Sequence, residues 1–366
     1  MLVRLLHGLL PFVASLAGWV VAAPIALAVL PFWVIAQLTR HLARALEPRK
    51  LEWPECFDFI PEIGWKLRPH LRVYAEDLNG DAFRVTTDES GWRGRYTVAE
   101  SDVLVVGDSF AFGYGIDDDQ FFAHLCRGLK VKGMGAPGYS MVQPVLWMRR
   151  LSDQLAGKLV VWLVYLGNDL DDSIAPNQFG YRSPFVRLLD KTGSCEIVTS
   201  HVRPDRWTLQ SRQNNSMAYV QICSPTHFSD RVFTACEYLV MEARDICRAA
   251  GAELVIATVP ELSPIQLEQL EKALAESRAP ELFDPEKPDR RFAEICERLD
   301  VTFVALKDHL GARDYLENDA HWNARGHRRV AEVIEGLHSG RIPARRHQRA
   351  VPQDVGDVLT VASGEA

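Results

Sequence analysis

The sequence predicts an α/β fold in three layers, with a parallel β-sheet between two layers of helices. Two observations lead to this prediction. Short apolar runs rich in β-branched residues, which are typical of buried strands, alternate along the chain with longer helical stretches. Small residues follow these runs, as expected where a strand turns sharply into a helix. Such alternation favours a parallel sheet that is covered by helices on both faces.

Each element follows from its local pattern. The run VLVV at 103–106 is bounded by Gly107 and predicts a strand buried on both faces. The predicted strands of the sheet are 102–107, 129–132, 159–166, 253–259 and 301–306. The predicted helices are 118–128, 141–156, 230–250, 265–278, 289–299 and 324–338.

Composition narrows the function classes. The chain has 366 residues, of which 47% are hydrophobic, so it can bury one large core. The net charge is -7, so the composition shows no excess of the basic residues that nucleic-acid binding needs. The 7 cysteines are scattered without a C-x-x-C pair, which argues against a zinc site and a disulfide framework. A single bridge between Cys195 and Cys223 stays open.

The first fifty residues predict a membrane anchor. Residues 9–38 contain no charged side chain, a run longer than the roughly 20 residues that a helix needs to cross a bilayer. Prolines inside the run leave two forms open, one kinked helix or a hairpin of two shorter helices. More basic residues follow the run than precede it, which favours the cytoplasm for the rest of the chain. The expected anchor is residues 1–50.

The remaining chain divides into three regions. Residues 51–100 form an entry segment with short strands, where Asn79 and Gly80 signal a hairpin. Residues 101–338 form the main domain. Within it, 173–228 breaks the strand–helix rhythm and predicts an insertion over one edge of the functional site. Residues 339–366 have no periodic apolar face and are expected to be disordered.

Four short segments carry polar residues suited to chemistry. They are GDSF at 107–110, GAPGYS at 135–140, GND at 167–169 and NDAHWN at 318–323. The first three follow predicted strands, and the fourth precedes the last helix. Because open α/β sheets bind ligands at the carboxyl ends of their strands, all four are expected to meet at one rim.

These segments contain the parts of a serine nucleophile site. A serine hydroxyl becomes nucleophilic when a histidine takes its proton and an acid holds that histidine in the right tautomer. Ser109, His321 and Asp319 can fill these roles. Donors for the developing oxyanion are the backbone N–H groups of Ser109 and Gly138 and the side-chain amide of Asn168.

The four segments resemble, in order and roughly in spacing, the four blocks of the SGNH (GDSL-type) hydrolase superfamily. The resemblance covers about 60–338, and the stretches IGW at 63–65 and NGDAFRVTTDESGWRG at 79–94 resemble a bacterial membrane-anchored subgroup. It implies a flavodoxin-like sheet of five parallel strands and a location in the bacterial inner membrane. It also implies hydrolysis or transfer of carbohydrate or lipid esters without a metal or a nucleotide cofactor.

Two positions depart from that family's pattern. Most members carry D-x-x-H, which would place Asn318 where the acid stands, whereas Asp319 lies two residues before His321. Residues i and i+2 face the same side in an extended segment, and i and i+3 do so on a helical turn. Asp319 therefore serves if the segment is extended, and Asn318 if it is helical. The second departure is Gly133, where many relatives have asparagine, and there we expect a local packing difference.

Several functions fit these residues. The leading hypothesis is a serine esterase that forms an acyl-serine intermediate. A polysaccharide O-acetyltransferase with the same triad and a catalytically degenerate glycan-binding module are the alternatives. A dinucleotide site at 133–138 is disfavoured because Pro137 removes a backbone donor where pyrophosphate would bind. Acid clusters near Asp117 and Asp169 are attributed to helix starts, so no metal site is predicted.

Overall fold

The computed structural model describes residues 30–32, 34–35, 37–39, 49–51, 53–77, 79–178, 181–189, 193–204 and 215–342. The chain divides into two units, Met1–Arg49 and Lys50–Ala366. Most of the predicted membrane anchor, residues 1–50, lies outside the described residues, as does the predicted tail after Ile342. The described residues of the first unit between Leu30 and Thr39 are helical. Within the described part of the chain, no helix has the length and apolarity needed to cross a bilayer.

The described strands and helices have the following bounds. The strands are β1 (Arg49–Lys50), β2 (Phe57–Ile60), β3 (Gly64–Leu67), β4 (Arg72–Glu76), β5 (Ala82–Thr86), β6 (Val103–Gly107), β7 (Val131–Gly135), β8 (Leu159–Tyr165), β9 (Asn177–Gln178), β10 (Tyr181–Arg182), β11 (Phe185–Leu188), β12 (Cys195–Val198), β13 (Glu253–Val259) and β14 (Thr302–Ala305). The helices are α1 (Ser109–Phe112), α2 (Phe122–Leu125), α3 (Val142–Arg150), α4 (Asp169–Asp172), α5 (Asn215–Cys223), α6 (His227–Ala250), α7 (Pro264–Glu276), α8 (Lys287–Leu299) and α9 (Ala324–His338).

The central sheet has five parallel strands in the order β14, β13, β8, β6, β7. Numbered along the chain, this is the order 2-1-3-4-5 of flavodoxin-like sheets. The predicted α/β fold with a five-stranded parallel sheet is therefore confirmed. In this order β6 lies between β7 and β8, so the carboxyl ends of these three strands are neighbours at one rim.

Side chains alternate between the two faces of the sheet, as a strand's geometry requires. Val103 and Val105 belong to the apolar cluster that includes residues of α1, α2 and α9. Leu104 and Val106 belong to the other cluster, which includes residues of α3, α6 and α8. Because successive residues of β6 face opposite helix layers, this strand is apolar along its whole length. The three predicted layers, helices on each side of one sheet, are therefore present.

The entry segment covers the edge of the sheet formed by β7. Arg93 forms an antiparallel bridge with Gly133 of this strand. Beside it, the buried amine of Lys132 pairs with Asp88 at 2.7 Å. The hairpins β2–β3 and β4–β5 belong to the same segment, and the turn of the second contains the Asn79-Gly80 pair. Covering an edge in this way satisfies strand groups that would otherwise be open to pairing with another chain.

Gly133 is required by close packing, which explains the second departure from the family pattern. A Cβ atom there would lie 2.5 Å from the ring of Phe121 and 2.7 Å from the carbonyl oxygen of Ala111. No real Cβ makes such contacts, so an asparagine does not fit at this position while α1 and the Phe121 ring stay in place.

The region 173–228 contains short strands and a helix. Its described residues form the antiparallel pairs β9–β10 and β11–β12 and the helix α5. That this region covers one edge of the functional site stays a prediction. All 7 cysteines lie within the described residues and none of them is in a disulfide, so the bridge between Cys195 and Cys223 is not formed.

Candidate active site

The serine lies at the turn between β6 and α1. Asp108 precedes the helix, and its Oδ1 accepts a hydrogen bond from the backbone N–H of Phe110 at 2.9 Å. This is the bond expected of an N-cap aspartate, and it fixes the start of the helix. Ser109 is the first residue of the helix and is 9% exposed. β6 therefore brings the hydroxyl of Ser109 to the rim of the sheet, where the bond between Phe110 and Asp108 fixes the backbone.

The loop after the serine is fixed by a buried arginine of the entry segment. Arg93 donates to the carbonyl oxygens of Phe112, Gly113 and Ile116 at 3.2, 2.6 and 2.9 Å. Its guanidinium also pairs with Asp118 at 2.9 Å and is fully buried. A short helix leaves its last carbonyls without intrahelical partners, and Arg93 donates to the carbonyl of Phe112 at the end of α1 and to two carbonyls of the loop that follows.

His321 lies in the turn before α9 and contacts Asp319. Its Nδ1 is 2.5 Å from Asp319 Oδ1, and its backbone N–H donates to the same oxygen at 3.0 Å. Burial by itself would raise the pKa of Asp319, but the charge of His321 and the hydrogen bonds from its ring and backbone hold that pKa below its ordinary value. Asp319 is therefore a carboxylate at neutral pH and orients the ring of His321.

The opposite nitrogen of the ring faces the serine. His321 Nε2 is 2.6 Å from Ser109 Oγ, although the two residues are 212 positions apart in the chain. With Nδ1–H donating to Asp319, Nε2 is free to accept the hydroxyl proton of Ser109. The three side chains thus form one continuous series of hydrogen bonds.

The structure distinguishes the two acid candidates. Residues 317–321 form a turn and bends rather than a helix, and α9 begins only at Ala324. In this conformation Asp319 is buried against the histidine. The side chain of Asn318 is exposed.

The three oxyanion candidates follow neighbouring strands. Ser109 follows β6, Gly138 lies in the connection after β7, and Asn168 lies after β8. Gly138 has a φ of 78°, a conformation that suits glycine. The amide Nδ2 of Asn168 donates to Asp172 Oδ2 at 2.8 Å. An amide nitrogen carries two hydrogens, and contacts within the described residues use one of them, so the second is available to a ligand.

Two aromatic rings hold the imidazole. The ring centroid of His321 lies 4.5 Å from that of Tyr114 and 4.8 Å from that of Phe110. Trp53 of the entry segment stacks on Tyr114 at 5.5 Å with an interplanar angle of 20°. Burial, together with the charge of Asp319, raises the pKa of the Tyr114 hydroxyl, so this phenol is neutral. The histidine thus lies against apolar ring surfaces that restrict its rotation.

A second carboxyl group lies beside the serine. Asp108 is 2% exposed, and Ser109 Oγ lies 3.2 Å from its Oδ2. Burial raises the pKa of Asp108 to about 6. Asp319 and Asp108 therefore lie on either side of the Ser109–His321 pair with pKa values moved in opposite directions. Such separation is common where two carboxyl groups have different tasks.

A third acid lies at the rim after β13. Burial raises the pKa of Glu261 to about 8, and its carboxyl accepts from the hydroxyl of Tyr165 at 3.4 Å. A Cβ on Gly167 would lie 2.3 Å from Glu261 Oε1. This acid is therefore next to the GND segment that contains Asn168.

The sequence predicted no role for the supporting groups Asp108, Phe110, Tyr114 and Glu261, although the first two lie in the segment GDSF. The first three lie in the stretch GDSFAFGYG, next to the serine, and could have been found by asking what packs around it. Glu261 is the first acid after the strand 253–259, and the rule that ligands bind at carboxyl ends of strands points to it. Within the described residues, no group of three His, Cys, Asp or Glu side chains is placed to hold a metal ion.

Comparison with known proteins gives a likeness in structure only. No family model matches the sequence, and no curated protein does. Est24, a carbohydrate acetylesterase from Sinorhizobium meliloti, has 11% identity and a TM-score of 0.40, with 66% of this chain and 99% of that chain covered. A GDSL-like lipase from Bacteroides thetaiotaomicron has 13% identity and a TM-score of 0.38, with 68% and 93% covered. The aryl esterase of M. smegmatis has 10% identity and a TM-score of 0.38, with 65% and 98% covered. Identities and TM-scores this low identify neither a family nor an activity for this chain.

Proposed function

We propose that the protein is a serine esterase of the SGNH type, which hydrolyses esters through an acyl-serine intermediate. One observation carries the proposal: Ser109 Oγ, His321 and Asp319 form a continuous hydrogen-bonded series with distances of 2.6 and 2.5 Å. A purely structural serine at a helix start needs no histidine partner from a distant loop. The arrangement matches the roles of nucleophile, base and orienting acid.

The first half-reaction forms the acyl-enzyme. Ser109 Oγ attacks the ester carbonyl carbon while its proton passes to His321 Nε2, and the carbonyl electron pair moves onto oxygen. The imidazolium keeps its Nδ1–H bond to Asp319, which stabilises the positive charge. When the tetrahedral intermediate collapses, the bond to the alcohol oxygen breaks and His321 gives its Nε2 proton to the leaving alkoxide.

The second half-reaction restores the serine. A water molecule gives a proton to His321 Nε2 and attacks the acyl carbon, and the Ser109 oxygen leaves and takes that proton back. In both steps negative charge develops on the carbonyl oxygen. The proposed donors are the N–H groups of Ser109 and Gly138 and the amide of Asn168, each worth about 3–4 kcal/mol in well-studied hydrolases.

The proposed substrates are acyl esters of carbohydrates or lipids. A sugar hydroxyl can replace water in the second half-reaction without any change to the triad, which would make the protein an O-acetyltransferase. The acid of this site stands two residues before the histidine, and this D-x-H arrangement resembles that of membrane-associated polysaccharide O-acetyltransferases, which favours the second candidate. Product analysis with p-nitrophenyl acetate and an oligosaccharide acceptor separates them: free acetate indicates hydrolysis, and an acetylated sugar indicates transfer.

We further propose that residues 1–50 anchor the enzyme in the bacterial inner membrane, with the main domain on the cytoplasmic side. The uncharged run 9–38 and the basic residues after it support this proposal. Membrane fractionation of the full chain and of a chain starting at Lys50 tests the anchor. A reporter fused after Ala366 tests the side.

The esterase proposal is tested by hydrolysis of p-nitrophenyl acetate. Ser109→Ala is expected to lower kcat by on the order of 10³-fold or more, because the acyl-enzyme no longer forms. Ser101→Ala is the matched control, since this buried serine lies just before β6, at the opposite end from Ser109. Equal activity of the two variants would contradict the proposal. A wild-type chain that binds glycans without hydrolysing any ester would support the binding module instead.

A further inference from the structure

The backbone N–H of Gly138 is one of the proposed oxyanion donors. Because Gly138 lies in a loop, a contact from another part of the chain must fix the direction of this N–H. The loop between β7 and α3 contains Ala136, Pro137 and Gly138, and Gly138 adopts a φ of 78°. The N–H of Gly138 and the carbonyl of Pro137 belong to the same planar peptide unit. Because the unit is trans, its N–H and C=O point in opposite directions. Holding the Pro137 carbonyl therefore fixes where the Gly138 N–H points.

A tryptophan of the entry segment holds that carbonyl. The indole N–H of Trp65 donates to the carbonyl oxygen of Pro137 at 2.9 Å, across 72 positions of sequence. Trp65 lies on β3 and is 2% exposed. Pro137 lies outside any helix or strand, so its carbonyl takes part in no helical or sheet pairing, and the side chain of Trp65 supplies the bond instead.

The tryptophan is itself fixed from a second direction. The hydroxyl of Tyr139, one residue after Gly138, donates to the backbone oxygen of Trp65 at 2.5 Å. The indole N–H of Trp147 donates to the same hydroxyl at 3.2 Å. The loop and the strand are thus joined by two hydrogen bonds in opposite senses, one on each side of Gly138. Buried networks with satisfied members of this kind favour one fixed arrangement.

We propose that Trp65 is a positioning residue of the oxyanion site, which aims the N–H of Gly138 at the carbonyl oxygen of an ester bound at Ser109. The inference rests on the esterase function proposed above. The bond acts in two ways. It fixes the peptide plane, and by drawing electrons onto the Pro137 oxygen it makes the Gly138 N–H a stronger donor. The effect belongs to the transition state, where the oxyanion forms, so it changes kcat rather than KM.

The test compares two tryptophans of the same buried network. Trp65→Phe keeps a ring but removes the N–H, and we expect kcat for p-nitrophenyl acetate to fall about tenfold with KM unchanged, a part of what loss of a whole oxyanion donor costs. Trp147→Phe is the matched control, because it removes a buried indole N–H that bonds Tyr139 and not the loop carbonyl. Its kcat is expected to stay closer to the wild-type value than that of Trp65→Phe, because Tyr139 keeps its own bond to the backbone oxygen of Trp65 and the Pro137 carbonyl keeps its donor.

A second variant separates the N–H from the shape of the ring. A benzothiophene analogue of tryptophan, incorporated at position 65, keeps the bicyclic shape and lacks the N–H, so it is expected to show the same fall in kcat. Wild-type kcat in this analogue, or equal kcat in Trp65→Phe and Trp147→Phe, would overturn the inference. An active Ser109→Ala chain would instead refute the esterase proposal, so the two failures are distinguishable.

Discussion

The rim of the parallel sheet and the entry segment contribute to the site in different ways. The rim supplies the reacting groups: Ser109 after β6, and Asp319 and His321 from the turn before α9. The entry segment supplies none of these three. It contributes side chains that contact the residues which hold the reacting groups in place.

Three of these outer contacts are specific. Trp53 stacks on the tyrosine that lies against His321. Arg93 bonds the carbonyls of the loop that follows the serine. Trp65 bonds the carbonyl that precedes Gly138. The comparison teaches that chemistry and orientation come from separate parts of the chain. Changes at the rim are therefore expected to abolish turnover in a stable protein, and changes in the entry segment to lower stability or to reduce turnover in part.

The largest effect is expected at the acid of the rim. Asp319→Asn should lower kcat by about 10⁴-fold, because a neutral amide does not hold His321 in the tautomer that accepts the serine proton. Steady-state hydrolysis of p-nitrophenyl acetate measures it. Asn318→Ala is the control and should retain activity, since that side chain is exposed. A larger loss in Asn318→Ala than in Asp319→Asn would contradict the claim that Asp319 is the residue that orients His321.

The next effect is on stability and belongs to the entry segment. Arg93→Met should lower the free energy of unfolding by about 3–5 kcal/mol, because it leaves the charge of Asp118 without its cationic partner and several buried carbonyls without a donor. Urea unfolding followed by tryptophan fluorescence measures the change. Arg68→Met breaks an ion pair with Asp58 whose members are about half exposed, and should cost less than about 1 kcal/mol. Equal losses in the two variants would remove the distinction between supporting and surface charges.

A donor of the rim comes third. Asn168→Ala should reduce kcat by about 10²-fold with KM unchanged, because the amide is proposed to stabilise the oxyanion. Asn168→Asp, which keeps the shape and loses the donor, should be at least as slow. If both variants turn over at the wild-type rate, Asn168 has only its structural bond to Asp172.

The smallest effect lies where the two regions meet. Tyr114→Leu should lower kcat by about twofold to tenfold, because an aromatic contact of roughly 0.5–1.5 kcal/mol no longer holds the His321 ring. Tyr114→Phe keeps the ring and should keep the activity. A Phe variant as slow as the Leu variant would show that the hydroxyl matters rather than the stacking.

The arrangement of the sheet could be predicted from the sequence because it depends on local patterns. The apolar run at 159–166 predicts β8 to within one residue. The second strand is harder to predict from the sequence. The pattern LKVK predicts a strand at 129–132, whereas β7 extends over Val131–Gly135. Its later half contains Gly133 and Gly135, which are poor strand formers. They are needed because α1 passes too close for a side chain, a fact that only the packing reveals.

The helix predicted at 118–128 shows the same limit. The structure has a short 3-10 turn at Asp118–Gln120 and then α2 over Phe122–Leu125. The side chain of Asp117 accepts from the backbone of Arg84, and that of Asp118 pairs with Arg93, so distant partners override the local helical pattern. The contacts of Trp65 and Arg93 with the site also span long sequence separations. Local periodicity carries no information about them.

The most direct test of the central claim, that Ser109 is the nucleophile, is peptide mapping by mass spectrometry after reaction with a fluorophosphonate. The prediction is a single phosphonylated serine, Ser109, with no adduct in Ser109→Ala. An adduct on another serine, or an unmodified Ser109 in protein that the reagent has inactivated, would contradict it.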